Sequence, residues 1–224
     1  MSERGPARRR AAALVTKRAI DVLGALTGIV VLSPVLAAVA LAVLVAEGRP
    51  ILFRQERPGL GARRFTIRKF RSMRPARPDE DAYSDDSKRV TRIGRYLRST
   101  SIDELPELWN VLRGDMSLVG PRPLLVEYLA AYTTEERRRH LMRPGITGWA
   151  AVNGRHSIDF EERLKLDVWY VDRWSLVLDV RILAMTMRQV LRRDGVWATQ
   201  DPGEIGVPAR FRAAVARPER IEAV

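Results

Sequence analysis

The sequence contains no cysteine and only two histidines, His140 and His156, which lie far apart. The lack of cysteine excludes disulfides and thiolate metal sites, and two separated histidines give no zinc-ligand spacing. Any bound metal is therefore expected to be a hard cation held by carboxylates and phosphates. Acidic residues are also in the minority, because 27 of them face 39 lysines and arginines, for a net charge of +12. This charge suits an anionic partner without choosing among nucleic acid, anionic lipid and phosphate substrates.

One long apolar run stands out near the start of the chain. Residues 19–46 include a single charge, Asp21. A run of this length is typical of a membrane segment and is too long for the apolar part of a signal peptide. Ser33-Pro34 lies at its middle, and proline bends or breaks a helix there. Each half would be roughly 20 Å long, which is too short for a hydrocarbon core of roughly 30 Å.

The charges on both sides of this run favour a re-entrant hairpin over a crossing helix. Six lysines and arginines precede it between positions 4 and 18, and eight follow it between positions 49 and 71. Positive segments tend to stay on the cytoplasmic side, so a crossing helix would violate that preference at one end. A tilted single span with a proline bend remains the alternative.

The rest of the chain is predicted to be an α+β domain that is mostly helical. A β-hairpin is expected from strands at Ile51 to Glu56 and Phe65 to Phe70. Further helices are expected at residues 91–98, 102–112, 124–132, 135–142, 160–169 and 176–193, with loops at 75–88 and 143–155. The last helix is amphipathic and follows a cluster of aromatic residues, so it suits either a membrane interface or packing against the core.

Asp103 and Glu104 form an acidic pair in an otherwise basic stretch. One interpretation is structural, because Ser101 and Glu104 have the spacing of a helix capping box before an apolar run. The other is chemical, because a carboxylate can act as a covalent nucleophile and two carboxylates can hold Mg²⁺ against substrate phosphates. Arginines are the expected phosphate ligands, and four lie beside turns or helix ends: Arg98, Arg122, Arg143 and Arg155. Arg122, between two prolines, has the most restricted direction.

The stretch from Arg89 to Leu124, RVTRIGRYLRSTSIDELPELWNVLRGDMSLVGPRPL, resembles the signature of the bacterial sugar transferases, the small monotopic phosphoglycosyl transferases. The similarity extends to FRQERPG, KFRSM, RPGITGWAAVNGR and DVWYVDRWSLVLDVRIL, and so covers roughly residues 17–193. Two positions depart from the family pattern. Glu107 and Ala151 each stand where glutamine is usual, and Ala151 could bear on nucleotide or sugar contacts.

The resemblance implies a reaction and a set of residues. Asp103 would attack the β-phosphate of a UDP-sugar and expel UMP, and polyprenyl phosphate, undecaprenyl or decaprenyl, would then take the phosphosugar. Glu104 would assist at the Mg²⁺ and phosphate site, so both acids are expected as metal ligands. Arg98 and the Pro121-Arg122-Pro123 turn match family positions. Ser33 and Pro34 match the break of a re-entrant membrane helix.

The domain organisation expected on this basis has four parts: a basic arm at 1–18, a re-entrant membrane helix at 19–46, a cytosolic catalytic domain with amphipathic interface helices at 47–198, and a flexible tail at 199–224. The catalytic domain would face the cytoplasm at the bacterial inner membrane, in contact with anionic lipids, and would start a surface polysaccharide or glycoconjugate. A chain beginning so close to the membrane helix is expected to be the short form of the family.

Three other functions remain open at this point. A basic membrane protein could bind nucleic acid, but no recognised nucleic-acid motif is present and none is expected as a partner. The fold could be an inactive scaffold, although the acidic pair and the proline-flanked arginine argue against that. A transferase that moves the sugar without its phosphate would release UDP instead of UMP. The sugar, the pathway and the oligomeric state are not encoded in any recognised motif, and an oligomer is possible.

Overall fold

The computed structural model describes residues 4–77, 86–154, 158–192 and 206–216. Its elements, in chain order, are α1 (Arg4–Glu47), β1 (Leu52–Pro58), β2 (Arg64–Phe70), α2 (Asp86–Arg89), α3 (Arg92–Ser99), α4 (Glu107–Arg113), β3 (Ser117–Val119), α5 (Thr134–Arg137), β4 (Gly145–Thr147), α6 (Trp149–Asn153), α7 (Phe160–Arg173), α8 (Leu176–Arg192) and α9 (Ala209–Ala216). Short 3₁₀ turns at Ile102–Glu104, Val126–Ala130 and Arg138–Leu141 link several of them. The fold is mostly helical, as predicted from the sequence.

Two small sheets accompany the helices. The strands β1 and β2 pair antiparallel, with Leu52 opposite Phe70 and Pro58 opposite Arg64, which confirms the predicted hairpin to within two residues. The strands β3 and β4 pair in parallel. The second strand of that pair and α6 occupy the segment that was expected to be a loop, so this prediction was wrong. The glycines that suggested a loop instead permit close packing, since a Cβ at Gly145 would lie only 2.0 Å from the backbone nitrogen of Gly120.

The long helix α1 contains the apolar run, and its stretch Arg10–Glu47 is long and apolar enough to cross a membrane. The helix continues through Ser33-Pro34, which differs from the predicted helix-break-helix. The side chains explain this continuity. Pro34 has no N–H for the carbonyl of Val30 four residues earlier. The Ser33 hydroxyl donates to that same carbonyl at 2.8 Å, so the acceptor is satisfied and helical geometry persists.

Buried polar contacts fix the first half of α1 to the folded domain. Asp21, the single charge in the apolar run, accepts hydrogen bonds from the Ser117 hydroxyl and the Leu118 N–H, both at 2.9 Å. Lys17 is also buried, and its Nζ lies 2.7 Å from Asp179 Oδ2. Arg18 donates to the last carbonyls of α4. The buried charges of Asp21 and Lys17, which would destabilise the fold without partners, are therefore paired with groups of the domain.

The second half of α1 also contacts the domain. Val43 is fully buried against Phe70 and Leu97, and neighbouring apolar residues of the helix pack against the same cluster. Arg71 donates to the carbonyls of Glu47 and Gly48 at the helix end. Between the two contact regions, Val30 and Val31 remain 63% and 67% exposed. Both ends of the apolar run thus touch the body that carries the candidate site, and the middle does not.

The C-terminal part differs from its prediction over residues 206–216. A flexible tail was expected, but Ala209–Ala216 forms a helix, and Phe211 is fully buried. The sequence did not predict this helix because its apolar residues show no clear helical spacing, and Phe211 is its one buried residue among those described. Upstream, α7 and α8 match their predicted helices, although α7 is longer. The predicted helices at 124–132 and 135–142 are shorter turns, mainly 3₁₀.

The aromatic cluster before α8 takes part in core packing. Tyr170 is buried and its hydroxyl donates to Asp179 Oδ1 at 2.6 Å, while the Trp174 indole donates to Asp179 Oδ2 at 3.1 Å. Trp169 stacks on Trp149 at 4.8 Å between ring centroids. Of the two interpretations left open by the sequence, packing against the core is therefore the one these three side chains adopt.

Candidate active site

The acidic pair lies in the 3₁₀ turn Ile102–Glu104, between α3 and α4. Both carboxylates are buried, with Asp103 5% and Glu104 8% exposed. The predicted capping box does not form. Ser101 adopts a left-handed conformation with φ of 55° and makes no capping hydrogen bond, so its hydroxyl is not directed at the following turn. The structural interpretation of the pair thus loses its main support, while α4 still ends at Gly114 as predicted.

Glu104 is held by two cations from different parts of the fold. Lys69 Nζ, on β2, donates to Glu104 Oε1 at 2.6 Å. Arg122 Nη2 donates to the same oxygen at 2.8 Å. The proline-flanked turn therefore places the Arg122 side chain at the acidic pair. The sequence analysis did not predict a role for Lys69, although this residue lies in the motif KFRSM.

Asp103 differs from Glu104 in its contacts. Its Oδ1 is buried and has no hydrogen-bond partner among the described residues. A buried carboxylate oxygen without a partner is costly, and such atoms are enriched where chemistry or an ion needs them. The Asp103 oxygen is thus available to a substrate or a cation, whereas Glu104 Oε1 already accepts two charged donors.

Arg98 reaches the site from the last turn of α3. It is 6% exposed, and its Nε donates to the Ser72 hydroxyl at 3.0 Å. Gly94 makes this approach possible, because a Cβ there would lie 1.9 Å from the Ser72 carbonyl oxygen. The helix therefore packs directly on the chain after β2, and Arg98 follows one turn later.

A third carboxylate, that of Glu107, lies at the start of α4 and shares Lys69 with Glu104. It is 3% exposed, and its Oε1 lies 3.3 Å from Lys69 Nζ. That oxygen makes no aligned hydrogen bond. The sequence had marked Glu107 only as a departure from the family pattern. The burial of Glu107 beside the acidic pair could not be predicted from the sequence, because the helix was expected to start at residue 102 and not at Glu107.

Electrostatics separate the three acids. Burial, reinforced by the charge of Glu104, raises the pKa of Asp103 to about 6. Burial would also raise the pKa of Glu104, but Arg122 and Lys69 outweigh it and hold that pKa below its ordinary value. Burial raises the pKa of Glu107 to about 7, despite the opposing charge of Lys69. At neutral pH the site thus holds a fixed anion, Glu104, beside a carboxylate whose charged form is poorly solvated.

Of the two remaining predicted arginines, the structure describes only Arg143. Arg143 Nε donates to the Gly114 carbonyl at 2.9 Å, so it binds the end of α4. Arg155 lies outside the described residues. Within the described part of the chain, no group of three or more His, Asp or Glu side chains is arranged around a common metal position. Two adjacent carboxylates still fit Mg²⁺, which retains waters and takes substrate phosphate oxygens as further ligands.

Comparison with known proteins decides the family. The model of the family described as bacterial sugar transferase matches residues 12–193. The chain belongs to the bacterial sugar transferase family. The resemblance read from the sequence motifs is thus confirmed, and with it the prediction that this sugar transferase is an enzyme of the phosphoglycosyl transferase type.

Three relatives illustrate the similarity. The protein named uncharacterized sugar transferase EpsL, of Bacillus subtilis, is 46% identical over 83% of this chain and 92% of its own length. The undecaprenyl-phosphate glucose phosphotransferase of Komagataeibacter xylinus is 42% identical over 79% of this chain and 36% of its own. The UDP-glucose:undecaprenyl-phosphate glucose-1-phosphate transferase of Caulobacter vibrioides is 41% identical over 84% of this chain and 74% of its own length. The chain thus spans nearly all of the first relative and less than half of the second.

Proposed function

We propose that this sugar transferase moves a sugar 1-phosphate from a UDP-sugar to polyprenyl phosphate, giving a polyprenyl diphosphate sugar and UMP. The relatives named for undecaprenyl phosphate support the substrate class. The geometry contributes one decisive observation: the buried Asp103 oxygen has no partner among the described residues, while its neighbour Glu104 is held by Lys69 and Arg122. This is the arrangement expected of a nucleophile beside a fixed, charge-paired acid.

The reaction has two displacements at phosphorus. In the first, an Asp103 oxygen forms a bond to the β-phosphorus, and the bond from that phosphorus to the bridging oxygen breaks. UMP leaves with the bridging oxygen, and the phosphosugar remains on Asp103 as an acyl phosphate. In the second, a polyprenyl phosphate oxygen attacks the same phosphorus and Asp103 is released as a carboxylate. The raised pKa of Asp103 reflects a poorly solvated anion, which suits a nucleophile.

The arginines and Lys69 supply positive charge around the transferring phosphate. Arg122 pairs with Glu104, the charge of Arg98 acts on Asp103, and a planar guanidinium matches phosphate oxygens. Lys69 and Arg122 keep Glu104 ionised, so the local charge stays fixed during the reaction. Arg143 and Arg155 stay phosphate ligands only as predictions from their sequence positions, because Arg143 binds the end of α4 and Arg155 lies outside the described residues.

Mg²⁺ is the cofactor that these residues fit, with Asp103 and Glu104 as its protein ligands. When bound, it would neutralise charge on the substrate diphosphate. Glu104, which Lys69 and Arg122 keep charged, would be one carboxylate ligand. Asp103 would be the other, through the buried Oδ1 that has no partner among the described residues.

We also propose a re-entrant placement in the cytoplasmic leaflet of the inner membrane, in which both ends of α1 lie on the same side. The support is that Lys17 and Val43, on opposite sides of Pro34, both contact the domain, while Val30 and Val31 between them are exposed. A helix crossing to the other side would have to release one of these contacts. The positive flanks of the run add the preference for the cytoplasm and for anionic lipids.

The amphipathic helix α8 would lie at the same membrane surface. Its inner face buries Ile182, whereas Val177 and Leu191 are 79% and 77% exposed, and Val180 is 61% exposed. Exposed apolar side chains between arginines are typical of a helix at a lipid interface. The lipid acceptor and the acidic pair would then share one leaflet.

The experiment uses the full chain in nanodiscs, with Mg²⁺, undecaprenyl phosphate and a panel of UDP-sugars. UMP release with one sugar, lost in Asp103→Asn, is the expected result. UDP in place of UMP would identify a transferase that moves the sugar without its phosphate. No nucleotide release with any donor would indicate an inactive scaffold.

A further inference from the structure

The helix α9 lies beyond the residues matched by the family model, yet it is docked on the domain. Phe211 is fully buried, with its ring centroid 4.7 Å from Phe160, 5.1 Å from Tyr128 and 5.3 Å from Tyr132. The rings meet in tilted or edge-on arrangements, which aromatic pairs prefer. One side chain of α9 therefore completes an aromatic cluster that the rest of the domain leaves open.

Ion pairs orient α9 on this cluster. Arg210 Nη2 lies 2.6 Å from Glu136 Oε1 on α5 and 3.4 Å from Glu161 Oε1 on α7. The Arg210 guanidinium also lies over the Phe211 ring at 4.8 Å. Partly exposed pairs contribute little energy, so the buried ring is the main anchor and the pairs fix its orientation.

Tyr132 connects this aromatic cluster to a buried arginine. Arg139, 2% exposed, donates from Nη1 to the Tyr132 hydroxyl at 3.1 Å. Its Nη2 donates to Asp167 Oδ2 at 2.5 Å and to the backbone carbonyl of Arg122 at 2.6 Å. The position of a fully buried guanidinium depends on these acceptors, because a buried charge without partners is strongly destabilising.

The last connection leads to the acidic pair. The carbonyl of Arg122 is held by Arg139, and the side chain of Arg122 donates to Glu104 at 2.8 Å. Pro121 and Pro123 restrict the backbone on both sides, so a shift of this carbonyl reorients the whole residue. Contacts thus run without a gap from Phe211 through Tyr132 and Arg139 to Arg122.

We propose that α9 is a positioning element of the active site, in which Phe211 holds Tyr132 and, through Arg139, sets the direction of the Arg122 guanidinium. Phe211 touches no reacting group, so it is a positioning residue. The inference rests on the proposed function, since Arg122 matters only if the site binds a phosphate substrate. Its effect should appear in the first displacement, because UMP release needs Arg122 in place.

The test is a double-variant cycle on the full chain, measured as kcat/KM for UMP release from the preferred UDP-sugar. Phe211→Ala should lower kcat/KM about tenfold, and Phe211→Leu should restore most of it. With Arg122→Lys already in place, Phe211→Ala should cost less than about twofold, because the compact ammonium does not need the same orientation. The matched control is Arg212→Ala, an exposed residue of α9, which should leave kcat/KM unchanged.

A milder variant covers the case in which Phe211→Ala does not fold. Tyr132→Phe keeps the ring and removes the hydroxyl that accepts the Arg139 hydrogen bond, and it should show the same dependence on Arg122. Equal losses with and without the Arg122→Lys substitution, in a protein whose wild type is active, would overturn the inference alone. No UMP release from the wild-type protein would overturn the proposed function and this inference with it.

Discussion

The Arg122 guanidinium donates a hydrogen bond to Glu104 Oε1 across 2.8 Å, although 18 positions separate the two residues in the chain. The contact links the proline-flanked turn to the acidic turn, and Lys69 donates to the same oxygen from a strand. Three separate segments thus meet at one carboxylate. Glu104 is thereby kept charged, and Asp103 beside it keeps an oxygen without a partner in the described part of the chain.

Replacing Arg122 should impair the first displacement. A charge-assisted hydrogen bond contributes about 1.5–3 kcal/mol, so Arg122→Ala should lower kcat/KM for the UDP-sugar about 10- to 100-fold. Arg122→Lys should retain part of that activity because it keeps the positive charge. It should not restore all of it, because the ammonium lacks the planar set of donors of the guanidinium. Arg113→Ala is the matched control, since that arginine is exposed and pairs with Asp115 at the end of α4, away from the acidic pair. Equal losses at Arg122 and Arg113 would contradict a specific role.

The pH dependence of UMP release should follow the ionisation of Asp103. Its pKa of about 6 lies above the ordinary value because of burial and the Glu104 charge, and only the carboxylate can attack. The rate of the UMP burst without polyprenyl phosphate should therefore fall as the pH drops through about 6. Below that pH the rate should fall by about tenfold per pH unit. Omitting the acceptor removes its own phosphate titration from the profile. A burst that stays constant between pH 5 and 8 would contradict the assignment.

Glu107→Gln should stabilise the protein at alkaline pH. The folded pKa of about 7 lies above the ordinary value of 4.5, so the folded state binds the proton more tightly than the unfolded chain. Stability from this group is greatest below pH 4.5 and is lost as the pH rises through about 7. At pH 8 the variant should gain on the order of 1 kcal/mol in unfolding free energy, and the gain should vanish at pH 4.5.

Thermal unfolding in one detergent at both pH values measures this difference. Glu135→Gln is the control, because Glu135 is largely exposed and should show no pH-dependent change. A destabilised Glu107→Gln at pH 8 would mean that the ion pair with Lys69 outweighs the burial of the charge.

Single-cysteine labelling should decide the membrane topology, and the natural lack of cysteine makes this direct. Ala11→Cys and Glu56→Cys place exposed thiols before and after the apolar run. A re-entrant helix predicts that a membrane-impermeant maleimide labels neither site in intact spheroplasts and both after lysis. Labelling of one site in intact spheroplasts would establish a crossing helix.

The sequence predicted those features that follow from local patterns. Apolar length located α1, alternation and turn residues located the β-hairpin, and spacing located α8. The acidic pair and Arg122 were recognised because their motifs are continuous. What the sequence did not predict depends on distant contacts: Lys69 on Glu104, Arg139 behind Arg122, and Phe211 in the aromatic cluster. The spacing of apolar and polar residues does not predict the role of a side chain when that role depends on a partner far away in the sequence.

The continuous helix at Ser33-Pro34 shows the same limit on a smaller scale. Proline alone predicts an interruption, because it removes the donor to the Val30 carbonyl. The hydroxyl of Ser33 supplies a donor to that oxygen, so two neighbouring residues cancel each other's effect. Only the hydrogen-bond geometry reveals this compensation.

The covalent role of Asp103 is tested most directly by exchange of labelled UMP into the UDP-sugar in the absence of polyprenyl phosphate. A phosphosugar held on Asp103 can return to UMP, so label should enter the UDP-sugar pool with the wild-type protein. Asp103→Asn should abolish this exchange, while Arg113→Ala should leave it intact. If the wild-type protein transfers the phosphosugar to polyprenyl phosphate but never exchanges UMP without it, the transfer is direct and the Asp103 intermediate does not form.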